Sequence, residues 1–162
     1  MSSPADDLVR RLDRVEDRWR HHAARDFPQD ALTAPDPPTG ERWESGQVWA
    51  HVAEFIPYWL GETALVIENH ADEPAPFGRT KSDPGRIAAI ERDRSTDQSR
   101  LWRRIARDIG ALRTFLGGLD DSAWRARGLH PTLGEMDLAQ IVDEFLVGHL
   151  EQHATQLDQL HP

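Results

Sequence analysis

Apolar residues recur at intervals of three and four along most of this chain, and those intervals define four long amphipathic helices. Ser3 followed by Pro4, with Asp6 and Asp7 in the next turn, reads as a helix start. Leu8, Leu12, Val15 and Trp19 then mark the inner face of a helix that ends near Phe27 and Pro28. His21 and His22 fall on its last turn, where the helix dipole favours imidazolium, so both are expected as surface capping residues. The second helix is predicted from Ser45, whose hydroxyl can cap the first free amides, to about Asn69. Val48, Val52, Phe55, Trp59, Thr63 and Val66 face inward from it. Pro57 removes one backbone hydrogen bond and crowds the carbonyl of Ala53, which predicts a bend. Ser95 with Gln98 has the spacing of a capping box ahead of Leu101, Trp102, Ile105, Ile109, Leu112, Leu116 and Leu119, and Gly117 and Gly118 close that helix. Asp137 with Gln140 repeats the pattern and opens the last helix, which runs to Leu160 behind Leu138, Ile141, Val142, Phe145, Gly148 and Leu157. Met136 and Ile141 stand where a hydrophobic staple would form.

The connections are long. Residues 29–40 contain Pro35, Pro37 and Pro38, and residues 71–85 contain Pro74, Pro76 and Pro84, so both read as crossings over the surface, the second leading into a short helix from Arg86 to about Arg92. Residues 120–135 form a final loop holding Trp124, His130 and Pro131. Loops of this length tend to carry function or cover a cleft. There is no alternating strand pattern of useful length and no internal repeat, which predicts an all-α fold, a four-helix bundle with long crossover loops, occupying residues 1–162 as one domain.

Composition narrows the chemistry. With 162 residues, 38% of them hydrophobic, the chain can bury a real core. It has no cysteine, so a metal must be held by nitrogen and oxygen, and any thiol must come from outside. The net charge of −9 argues against a nucleic-acid surface. Residues 1–10 lack the basic-then-apolar pattern of a signal peptide and no apolar run approaches membrane-spanning length, so a cytoplasmic location without membrane contact is expected. The partners expected are a small-molecule substrate and, left open, a second copy of the chain in a homodimer. All the basic residues but Lys81 are arginine, which suggests GC-rich coding.

His149 and His153 lie four residues apart, on one face of the last helix, and they interrupt its apolar stripe. Two readings stand side by side: neutral core histidines with hydrogen-bonded nitrogens, or imidazoles that ligate a divalent ion. Two ligands are too few for a tight site. His51 falls beside the inner stripe of the second helix, which can face the fourth in such a bundle; three histidines would leave at least one position open, the arrangement of a catalytic site. Other metal motifs fail: a zincin needs glutamate directly after the first histidine, where Leu150 stands, while Glu151 faces away, and no Glu-x-x-His of a ferritin-like centre occurs. Glu54 is a candidate to orient His51 or accept a proton, against a solvated surface carboxylate, and Tyr58 a candidate hydrogen-bond donor to substrate, against a packing aromatic. Trp43, Trp49, Trp59 and Trp102 either line the cleft or simply pack. His70, His130 and His161 are expected in solvent.

The segments VWAHVAEF near residue 50, LHPTLGEMDLAQIV before the last helix and GHLEQHATQL within it resemble the DinB/YfiT-like superfamily of metalloenzymes, a likeness that covers nearly the whole chain. The resemblance implies that His51, His149 and His153 form a three-histidine metal site holding zinc or nickel. It further implies thiol S-transferase or isomerase activity with mycothiol, bacillithiol or glutathione as co-substrate; arginine-dominated coding fits a mycothiol-using host. The C-terminal domain of the maleylpyruvate isomerase relatives has no counterpart here, which points away from that reaction. An ion on three neutral imidazoles keeps its dipositive charge, binds an incoming thiol as thiolate and directs it at an electrophile in the adjoining apolar cleft. The alternatives are a non-catalytic ligand-binding or stress-response bundle with a structural or vestigial metal site, and a scaffold acting through its acidic surface.

Overall fold

The computed structural model describes residues 3–161. In chain order the elements are α1 (Pro4–Ala23), α2 (Ser45–Asn69), β1 (Ala75–Pro76), α3 (Pro84–Asp93), α4 (Gln98–Gly117), α5 (Asp121–Trp124), β2 (Arg127–His130), β3 (Gly134–Asp137), α6 (Leu138–Val142), a π-helical turn (Asp143–Val147) and α7 (Gly148–Leu160). The last three run on as one rod. With α1, α2 and α4 that rod makes the predicted four-helix bundle.

Two of the expected helix starts form as read. Ser3 and Asp6 exchange hydrogen bonds at 3.0 and 3.2 Å, and Asp137 and Gln140 do so at 2.9 and 2.8 Å. Two differ. α2 begins at Ser45 as expected, but its cap residue is Glu44, whose N–H donates to Gln47 Oε1 at 3.0 Å. Asp97 precedes α4, and the Gln98 side chain turns away from any box with Ser95: its amide donates to the carbonyls of His22, Ala23 and Arg25, at 3.3, 3.4 and 2.9 Å, where α1 ends at Ala23, short of Phe27.

The core is drawn from the predicted stripes. Trp19 lies edge-on to Trp49 with ring centroids 5.0 Å apart and donates its indole N–H to the Leu150 carbonyl at 3.1 Å, which ties α1 to both α2 and α7. Outside this contact, Arg18 meets Asp158 at 2.8 Å and Arg11 bridges Asp143 and Glu151, so the carboxylate beside the histidine pair is spent on α1. His22 is a correction: it continues the Leu8–Trp19 stripe by three residues and is buried, with Nε2 2.7 Å from Asp158. No helix among the described residues is long and apolar enough to cross a membrane.

The loop read over residues 120–135 is also corrected. It holds α5 and a hairpin in which Arg127 pairs with Asp137 and His130 with Gly134, while β1 adds in parallel, Ala75 beside Gly128. Strands of two and four residues are too short to show an alternating pattern, and Pro76, Gly128 and Gly134 obscure it further.

The π turn bears most directly on the site. Phe145, Leu146 and Val147, which it carries just ahead of the histidine pair, are all buried. The widened turn closes through the Gly148 N–H to the Asp143 carbonyl, and a side chain at Gly148 would meet that oxygen at 2.5 Å. Glycine is therefore required one residue before His149. Gly148→Ala is expected to destabilise the protein by about 1–3 kcal/mol through forced displacement. Gly110→Ala, in mid-helix with no atom within 4 Å of a new methyl, is expected to stabilise it by about 0.5–1 kcal/mol. Urea unfolding midpoints of the two variants check both signs.

Candidate metal centre

α2 delivers His51 and α7 delivers His149 and His153, one helical turn apart on the face turned toward α2. Each offers a ring nitrogen, and these atoms lie within 4.8 Å of one another. Nε2 of His149 is 3.2 Å from Nε2 of His51 and 3.2 Å from Nε2 of His153. His51 and His153 are buried, and His149 is partly exposed, which marks the side open to solvent. Phe55 packs against all three rings, 4.5 Å from that of His149, and Trp43 stands edge-on to His51 at 5.2 Å and parallel to His153 at 6.2 Å. Of the four tryptophans considered for the cleft only Trp43 reaches the site; Trp49 packs on Trp19, Trp59 stacks on Phe145 and Trp102 is half-buried against the core.

The far nitrogen of every imidazole is committed. Nδ1 of His51 is 2.9 Å from Glu54 Oε1, that of His149 3.2 Å from Gln152 Oε1 and that of His153 2.6 Å from Gln156 Oε1. In each case the oxygen comes from three residues further along the same helix, where side chains share a face. An Nδ1–H donating to each oxygen leaves Nε2 with a bare lone pair. Three such lone pairs pointed at one another repel unless a cation lies among them, so the donor set fits a divalent ion held by nitrogen. Burial drives all three imidazoles toward the neutral, ligating form: His51 and His149 fall well below the ordinary histidine value, and His153 falls to about 4.

Behind His51 the network continues. One Arg79 nitrogen reaches both oxygens of Glu54, at 2.7 and 2.6 Å, so Oε1 accepts from His51 and Arg79 together. Burial pushes the Glu54 carboxyl upward and the Arg79 guanidinium pulls it back. The guanidinium lies 3.8 Å over the Tyr58 ring, whose hydroxyl donates to Glu62 at 2.9 Å, and Glu62 also accepts the Gly78 N–H at 2.9 Å. Gly78 takes a positive φ of 93°, and a methyl there would meet the His130 ring at 2.6 Å. His130, expected in solvent, is buried among Trp59, Phe77 and Phe145; its Nε2 donates to the Arg79 carbonyl at 3.2 Å and its Nδ1 accepts the N–H groups of Thr132 and Leu133.

The structure thus brings His51, His149 and His153 together and sets Glu54 directly behind the first. Tyr58 faces Arg79 and Glu62, its hydroxyl already spent. Gln152, Gln156 and Arg79 escaped the sequence reading. The first two carried a signal, an amide or carboxylate three residues after each site histidine; Arg79, in a loop distant in sequence, carried none.

No family model and no curated protein matches this sequence. Solved structures do. YfiT from Bacillus subtilis, described as a probable metal-dependent hydrolase with an unusual four-helix bundle topology, aligns over 99% of this chain and 87% of its own at 18% identity with a TM-score of 0.75. The fold is DinB/YfiT-like. The mycothiol-dependent maleylpyruvate isomerase aligns over 97% of this chain at 11% identity with a TM-score of 0.72, and this chain spans 63% of its length. An uncharacterised protein from Clostridium difficile 630 aligns over 98% of this chain and 96% of its own at 8% identity with a TM-score of 0.64.

Removing an oxygen that holds Nδ1 is expected to weaken binding of a divalent ion by about 10–100-fold. The order follows burial and length: Glu54→Ala and Gln156→Ala weaken it most, and Gln152→Ala, at a longer and exposed contact, least. Chelator competition on the folded variants measures it.

Proposed function

We propose that this protein is a metal-dependent enzyme in which His51, His149 and His153 hold a divalent ion, zinc or nickel, and that it activates a low-molecular-weight thiol for transfer to a small electrophile. The observation that carries the reading is the convergence of three Nε2 atoms whose partner nitrogens are all occupied. An ion bound there supplies positive charge that favours thiolate over thiol at neutral pH. His51, His149 and His153 remain neutral and leave that charge undiminished. Glu54 and Arg79 fix the His51 ring, while Phe55 and Trp43 wall off water and offer an apolar surface to the electrophile.

The likeness to YfiT supports a second reading, hydrolysis, in which water replaces the thiol. Glu54 favours the first. Hydrolysis gains from a free carboxylate base near the nucleophile, yet both Glu54 oxygens are taken by His51 and Arg79, whereas a thiol ionised by the ion's charge needs no protein base. The likeness to the mycothiol-dependent isomerase also supports a thiol co-substrate.

Elemental analysis of untagged protein is expected to find about one divalent ion per chain, and His149→Ala is expected to lose it while keeping its helical circular dichroism. The cobalt-loaded protein is then expected to develop a thiolate-to-cobalt charge-transfer band with added thiol. Metal content unchanged in His149→Ala would contradict the site; a loaded protein that binds no thiol but hydrolyses esters or amides would favour hydrolysis.

A further inference from the structure

The guanidinium of Arg86 is half-buried and has no carboxylate within ion-pair distance among the described residues. It stands on the first turn of α3, and its one side-chain hydrogen bond runs from Nη1 to the Lys81 carbonyl at 2.9 Å. The acidic groups whose charge reaches it are Glu54, Glu41 and Asp36. Glu54 is spent on Arg79 and His51, Asp36 holds Lys81 at 2.9 Å, and Glu41 is exposed on the surface. Withdrawing a guanidinium from water without a matching anion is costly, and burial does lower its proton affinity. Every other half-buried arginine in this crossing has its counter-charge: Arg79 has Glu54, and Arg94 has Glu44 and Glu91.

The place of this group matters as much as its lack of a partner. Its central carbon lies 5.6 Å over the Trp43 ring, the same indole that stands 5.2 Å from His51 and 6.2 Å from His153. Trp43 thus touches the guanidinium and the two buried imidazoles alike. A protein of net charge −9 therefore sets one unpaired positive charge, and its field, beside this site. Such a field repels the cation that the histidines are built to hold, so its use must lie with what enters afterwards.

Resting on the thiol-transfer reading above, we propose that Arg86 is an anion subsite beside the metal centre and that one of the two substrates carries a carboxylate. Arg86 presents the planar fork that pairs with a carboxylate, whereas the Lys81 ammonium is already neutralised by Asp36. The carboxylate anchors the molecule against the Trp43 face and leaves its reacting end at the three histidines.

The test uses the cobalt-loaded full chain and two matched pairs of probes. The first is 3-mercaptopropionate with 3-mercaptopropionamide, read by the thiolate charge-transfer band; the second is the monohydroxamate of succinate with butyrohydroxamate, which bind metal without a thiol and are read by the cobalt visible spectrum. The carboxylate member of each pair is expected to bind about tenfold tighter. Arg86→Gln is expected to erase that preference without weakening the neutral members or metal uptake, since it removes a positive charge from beside a cation, and Arg86→Lys to restore part of it. Equal affinity within both pairs, or a preference that survives Arg86→Gln, overturns the proposal. If neither thiol binds but the hydroxamates keep an Arg86-dependent preference, thiol transfer fails and the subsite stands. A chain that takes up no cobalt overturns both.

Discussion

Everything at this site depends on where three protons sit. A histidine presents two nitrogens, and only the one without hydrogen can ligate an ion or carry a lone pair inward. Here each imidazole has its outer nitrogen held by an oxygen from the next turn of its own helix, at 2.9, 3.2 and 2.6 Å, which fixes the ring and selects the inner nitrogen as the bare one. Helical spacing alone supplies this arrangement, because residues three apart lie on one face. The result is a cluster that is electrostatically unfavourable when empty and satisfied by a divalent cation.

The rest of the bundle serves to keep that cluster assembled. Trp19 binds the backbone of α7 at Leu150, between the two histidines of that helix, and so sets its depth against α1 and α2. The π turn ahead of Gly148 sets its rotation. On the other side Glu54 is gripped by Arg79, whose loop is in turn fixed by Glu62 through the Gly78 amide and by His130 through the Arg79 carbonyl. A small sheet with no catalytic group of its own thus holds the loop that supports His51.

Much of this was legible in the sequence. The period of apolar residues gave four helices, and the interruption of one apolar stripe by His149 and His153, with His51 beside another, picked out residues that do converge. Glu54 was legible too, as a carboxylate one turn beyond a histidine. The remainder was hidden for physical reasons. Strands of two to four residues carry no periodic signal, so the hairpin around His130 read as a loop. The position of His22 at a helix end suggests solvent, yet the stripe that it extends continues inward. The π turn changes the helical phase without changing composition, and Arg79 and Arg86 reach the site from a loop and a short helix whose placement depends on packing across the whole bundle.

Long-range proton–nitrogen correlation spectra of the zinc-loaded, nitrogen-15-labelled protein measure the histidine tautomers directly. Three imidazoles are predicted to carry hydrogen on Nδ1 and to show Nε2 shifted by the ion, and His149→Ala, which loses the ion, is to abolish that shift in the two that remain. A proton on Nε2 of any of the three, or an ion attached through Nδ1, would contradict it.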